Sequence, residues 1–149
     1  MKKLGFIFCT ALMLALMPAA MLRADTTPSA PWTMKRLPDT GQTTRMSDSF
    51  GEDSFYNINP PSFKANSDGT VTDLVTGLQW QQADNGEMTW DSGVAFCNKL
   101  TAGGKDDWRL PYIQELFSIQ NQGKNFPALD TNYFTKSDAE YWWAIEERV

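Results

Sequence analysis

The stretch GGKDDWRLPYIQEL, residues 103–116, gathers the side chains best equipped for chemistry: Asp106, Asp107, Arg109 and Glu115 around Trp108. Asp107 and Arg109 together form a candidate ligand-recognition cluster, because a guanidinium offers a rigid fork of donors and a carboxylate accepts. The competing reading is structural. In extended chain, side chains alternate, so Trp108 and Leu110 face a core and Arg109 projects to the other side. There it would bond carbonyls or an acid such as Glu115 or Asp107. Pro111 presets the backbone for entry into a helix. Every residue type then has a packing or backbone task, and the structural reading is preferred. Glu87, Glu115 and Asp130 are acids of the kind used in glycoside hydrolysis, but nothing in their spacing requires that chemistry. The chain has no histidine, which excludes Ser-His-Asp and Cys-His catalysis and histidine-ligated zinc. No catalytic residue is therefore assigned.

Metal and cofactor chemistry fare no better. Asn66, Ser67, Asp68 and Gly69 look like the start of a calcium loop. Laid on the EF-hand spacing, however, the first ligand falls on Lys64 and the twelfth on Val75, so the match fails. Calcium held by other Asp and Asn loops stays open with no ligands selected, and no other cofactor is implied.

The elements that must position these residues can be read from periodicity. Residues 70–82 alternate apolar and polar around a Thr-Gly turn and predict a β-hairpin. Thr89 is a helix cap, and Trp90, Val94, Cys97 and Leu100 follow on one helical face until Gly103 and Gly104. Residues 108–110 are extended ahead of Pro111. A second helix follows, with Ile113, Leu116, Phe117 and Gln120 at helical spacing. Residues 141–145, YWWAI, are strongly strand-prone. Trp80, Trp90 and Trp108 sit on the apolar phase of their elements and are assigned to the core. Trp142 and Trp143 are neighbours and face opposite ways, so one is expected to be exposed; Trp142 is the aromatic ligand candidate.

The chain has 149 residues, and its first 24 have the layout of a secretory signal peptide. Lys2 and Lys3 precede an apolar run, residues 4–17, and small residues lead to Ala24. The run is short for a membrane span, which needs about 20 residues. An uncleaved anchor is the alternative. The segment holds three basic and no acidic side chains. Its removal leaves 10 basic against 18 acidic residues, a net charge of −8. Such a chain is a poor partner for nucleic acid or anionic membranes. Residues 25–65 are a Pro/Thr/Ser-rich leader; its LPDTG lacks the hydrophobic span and basic tail that a sortase signal needs. The domain proper is expected over residues 66–149. Cys9 would leave with the signal, so Cys97 is left as a lone cysteine: free, paired between chains, or deprived of its partner.

Five ordered pieces carry a family resemblance: DGTVTDLVTGLQWQ, MTWDSGVAFCNKL, DDWRLPYIQEL, PALDTNYF and EYWW. Together they resemble the Lcl C-terminal domain family of exported bacterial proteins. The resemblance implies an α+β, C-type-lectin-like fold, with two helices on a small, mostly antiparallel sheet. It implies a non-enzymatic binding or adhesion module, exported to the periplasm, cell surface or medium. The partner would be a surface glycan or another envelope protein; the alternative is a structural or assembly domain of a larger envelope protein. Trp80, Trp90, Cys97, Trp108, Pro111 and Glu115 belong to the structural motif. The family continues past its Tyr-Trp strand with further strands and a late cysteine. The resemblance therefore implies an incomplete domain, a truncated product whose Cys97 partner and sheet cover are absent; a naturally minimal domain is the alternative.

Overall fold

A computed structural model describes residues 5–12, 34–125, 128–135 and 141–146. Most of the segment read as an export signal, together with Phe126 and Pro127, lies outside the described residues. The architecture is α+β. In chain order the elements are β1 (Gly5–Phe6), β2 (Thr10–Leu12), a 3₁₀ turn (Asp53–Phe55), β3 (Phe63–Ala65), β4 (Thr70–Asp73), β5 (Leu78–Gln81), β6 (Glu87–Met88), α1 (Trp90–Cys97) and α2 (Ile113–Ile119). An antiparallel four-stranded sheet runs β2-β5-β4-β3, and β1 pairs with β6 beside it.

The predicted hairpin is β4 and β5. Its turn closes because Asp73 Oδ1 accepts from the backbone N–H groups of Val75 (2.9 Å) and Thr76 (3.1 Å). Gly77 then takes φ +79°, which a side chain would resist. One face of the hairpin carries Val71, Leu78 and Trp80 into a core with Phe8, Phe63, Ile119, Leu129 and Phe134. β3 lies upstream of Asn66, so one strand of the sheet lies inside the segment read as leader. That segment is also tied down elsewhere: Lys35 N–H donates to Thr76 O and Gln122 N–H to Thr40 O, both at 2.8 Å.

Cys97 corrects the sequence reading. It is not a lone thiol but is disulfide-bonded to Cys9, 88 positions earlier. Residues 7–11 are fully or almost fully buried. Phe8 enters the first core; Ile7, Cys9 and Ala11 enter a second with Cys97, Trp108 and Leu110. This is the period-two alternation of a strand covered on both faces. The strand is also bonded along both edges. β2 pairs with β5, Thr10 against Trp80. On its other side Thr10 N–H donates to Arg109 O at 3.0 Å and Arg109 N–H to Thr10 O at 3.1 Å. The expected bare inner sheet is thus covered by residues that the sequence reading had assigned to the export signal.

Three further differences have local causes. α1 starts at the predicted cap, Thr89 Oγ1 accepting from Ser92 N–H at 3.3 Å. It ends at Cys97, because Gly103 and Gly104, both at positive φ, serve a tight turn between Ala102 and Lys105 instead. α2 turns Glu115, Ser118 and Ile119 inward, leaving Ile113 and Phe117 40% and 61% exposed. Trp142 makes only a single bridge and residues 143–146 are irregular. Trp142 packs on the first core and Trp143 on the second, so they do face apart, but neither is fully exposed.

Candidate functional site

The corner at residues 108–116 is a closed circuit. Arg109 Nη2 donates to Glu115 Oε1 at 2.7 Å and Nη1 to Oε2 at 2.8 Å. Tyr112 N–H, at the helix entry, donates to the same Oε2 at 2.8 Å. Arg109 Nη1 also reaches Leu110 O at 3.0 Å, and its guanidinium lies over the Tyr112 ring, 4.7 Å from the centroid. Glu115 is 0% exposed and Arg109 30%. The fork-to-fork geometry locks the extended segment onto the first turn of α2. Of the partners open to Arg109 on sequence grounds, the structure selects Glu115. Three tryptophan rings donate to backbone carbonyls. Trp108 Nε1 donates to Ala102 O (3.1 Å), Trp90 Nε1 to Ala144 O (2.8 Å) and Trp143 Nε1 to Met88 O (2.9 Å).

The other acids are placed as follows. Asp107 and Glu87 are exposed. Asp130 starts a turn, accepting from Asn132 N–H at 3.1 Å, and meets Lys124 at 3.4 Å. Among the described residues no group of three or more His, Cys, Asp or Glu side chains is arranged to hold a metal. Asn66 and Asp68 are engaged in a network that sequence reasoning missed. Asn66 Nδ2 donates to Thr70 Oγ1 (2.9 Å) and Thr72 Oγ1 (3.0 Å), and Gln79 Nε2 to Thr70 Oγ1 (2.6 Å). Thr70 donates its hydroxyl to Asp68 Oδ1 at 2.6 Å. That bond holds the Asp68 carboxyl below the usual aspartate range. The visible signal was Thr70, Thr72 and Gln79 on one phase of the hairpin.

Of the three ligand candidates, only Trp142 lines a cavity among those described. Its groove, about 210 Å³, runs along α2 between Phe8, Ile113, Leu116, Phe117, Ile119 and Leu129. The structure does not gather Asp107, Arg109 and Trp142 into one site: Arg109 is committed to Glu115, and Asp107 lines none of the described cavities. Sequence reasoning placed Phe117 on the second helix by spacing alone and named no role for it.

The family model described as Lcl C-terminal domain matches residues 69–148. No curated protein and no solved structure matches the chain.

Proposed function

The chain belongs to the Lcl C-terminal domain family, and on that premise we propose that it is an exported, non-enzymatic binding module whose contact surface is the α2 groove. The observation that carries this reading is the outward apolar face of α2. Ile113 and Phe117 stand exposed beside Trp142, with Gln120 the main polar side chain on the rim. An open aromatic-lined groove suits a ligand with an apolar face, such as the C–H face of a sugar ring. Glu115, the best-placed acid, is saturated by three donors, which favours scaffolding over proton transfer. The disulfide fits an oxidising compartment, which an exported chain meets while residues 1–24 stay attached. The same exposed face favours a second reading, an assembly domain that docks on another envelope protein.

The test is retention of the full-length chain on an array of neutral and sulfated glycans. Selective retention, reduced about tenfold by Phe117→Ala, is expected, since that ring contributes contact area and no core packing. A flat array with a protein captured in pull-downs through the same face would replace the first reading by the second.

A further inference from the structure

The slot that holds residues 7–12 is shaped for an occupant and is imperfectly filled by this one. Its walls are β5 on one side and the backbone at Arg109 on the other. Its floor includes Gly93 of α1, where a Cβ would collide with Ile7 Cδ1; the helix carries a gap where a strand side chain inserts. Cys97 stands at the slot with its sulfur presented to the strand. Yet the fit leaves polar atoms stranded. Among the described residues five buried side-chain atoms have no hydrogen-bond partner: Asp73 Oδ2 and Asp84 Oδ2 lie elsewhere, and Thr10 Oγ1, Trp80 Nε1 and Trp142 Nε1 lie at this strand. Thr10 lies in register with Trp80, and Trp142 packs on Phe8 with ring centroids 6.0 Å apart. All three therefore belong to the resident strand or to residues against its Phe8/Thr10 face. Native interiors rarely leave such groups unpaired. The resident strand also has a second claim on it, because the same residues carry the layout of an export signal.

We propose that this slot is a strand-acceptor site. Residues 5–12 fill it in cis while residues 1–24 remain attached. Once those residues are cut away, it takes an extended apolar strand of a partner polypeptide in trans. The partner strand is apolar on both faces, has a small residue or cysteine opposite Cys97, and carries a hydrogen-bond acceptor facing Trp80. Backbone bonds to β5 and to Arg109 supply affinity, and the two cores read alternate side chains. Where the incoming strand bears a cysteine, exchange needs no oxidant. Its thiolate attacks Cys97 Sγ, a new S–S bond forms as the Cys9–Cys97 bond breaks, and Cys9 leaves as the thiolate and takes a proton. The slot shares Phe8 and Trp142 with the α2 groove, so glycan retention is read on the uncut chain and peptide uptake on the cut chain, and either can fail without the other.

The test uses the full oxidised chain with a protease site inserted after Ala24, cut in place. The probe is a labelled peptide of sequence GFIFCTAL, residues 5–12. Mass spectrometry should find the peptide disulfide-linked to Cys97 and the resident fragment released. A peptide with the Phe8→Ser change should be taken up about tenfold less well, because it loses one large buried ring. A Cys9→Ser chain, cut in the same way, should take up the peptide and lose its own fragment with no covalent staple to overcome. Equal labelling by a scrambled peptide would show thiol reactivity without a slot and overturn the proposal. So would absence of uptake by both cut chains while near-ultraviolet circular dichroism shows them folded. A dimer of cut chains that excludes the peptide would overturn the choice of a partner strand in favour of a second copy.

Discussion

Glu115 shows how one side chain can decide both a fold detail and a functional reading. Its carboxylate is buried, yet it accepts from Arg109 twice and from the helix-entry amide of Tyr112. Removing it strands a guanidinium that is 30% exposed, so solvent recovers part of the loss. Glu115→Ala should therefore destabilise by about 2–3 kcal/mol, below the cost of a fully buried pair. Urea titration measures this, and a change under 0.5 kcal/mol would remove the corner's structural role. Asp68 gives the pH counterpart. Its carboxyl is held low chiefly by the Thr70 hydroxyl, so the folded state binds its proton less readily than the unfolded chain. Its contribution is complete above the unfolded aspartate range and is lost as pH falls through the lower folded value. Asp68→Asn should flatten that part of the acid limb of stability against pH. An unchanged limb in a thermal melt series, or a carboxyl resonance titrating at the ordinary position, would contradict the assignment.

At the scale of elements, legibility followed how many roles each residue could fill. The β4–β5 hairpin was readable because alternation, Asp73 and Gly77 all point to the same turn. The start of α1 was readable because Thr89 acts as a cap in the structure as it does in the sequence. The face of α2 was not. In a seven-residue helix the buried positions are few, and a carboxylate took one of them to meet Arg109, turning Phe117 outward. β2 was invisible for a different reason. A strand covered on both faces has no polar phase, and a short apolar run behind two lysines satisfies the rules for an export signal equally well. The packing of that strand on α1 makes a sharp prediction. Gly93→Ala puts a methyl into Ile7 and should destabilise the full chain by roughly 1–3 kcal/mol, despite alanine's better helix propensity. Ile7→Ala leaves a cavity and should cost about 2–4 kcal/mol alone. The two changes exchange volume across one contact, so the double variant should recover at least about 1 kcal/mol of the summed loss. Strict additivity in a denaturant double-mutant cycle would place Ile7 away from Gly93.

At the scale of the whole molecule, one covalent link joins Cys9, just ahead of β2, to Cys97, the last residue of α1. Cys9 and Cys97 are separated by 88 positions, so the bond closes most of the described chain into one loop. On chain-entropy grounds a closure of that length stabilises by up to about 4–5 kcal/mol. A domain of this size has only about 5–15 kcal/mol in total, so the staple is a large share of its stability. The cores on either side of residues 7–11 depend on that strand staying in place, since Phe8 touches Phe134 and Trp142 on one face and Ile7 fills the hollow at Gly93 on the other. Reduction should thus lower the melting temperature of the full chain substantially, by roughly 10 °C or more for a domain of this length. It should also raise binding of a hydrophobic dye as the strand frays. A Cys9→Ser/Cys97→Ser chain should melt at the lowered temperature with or without reductant, which separates loss of the bond from any other effect of the reagent. If the wild-type melt is indifferent to reductant while thiol counting confirms that both cysteines are free, the strand is held by packing and backbone bonds alone. The disulfide would then be a marker of compartment with no measurable part in stability.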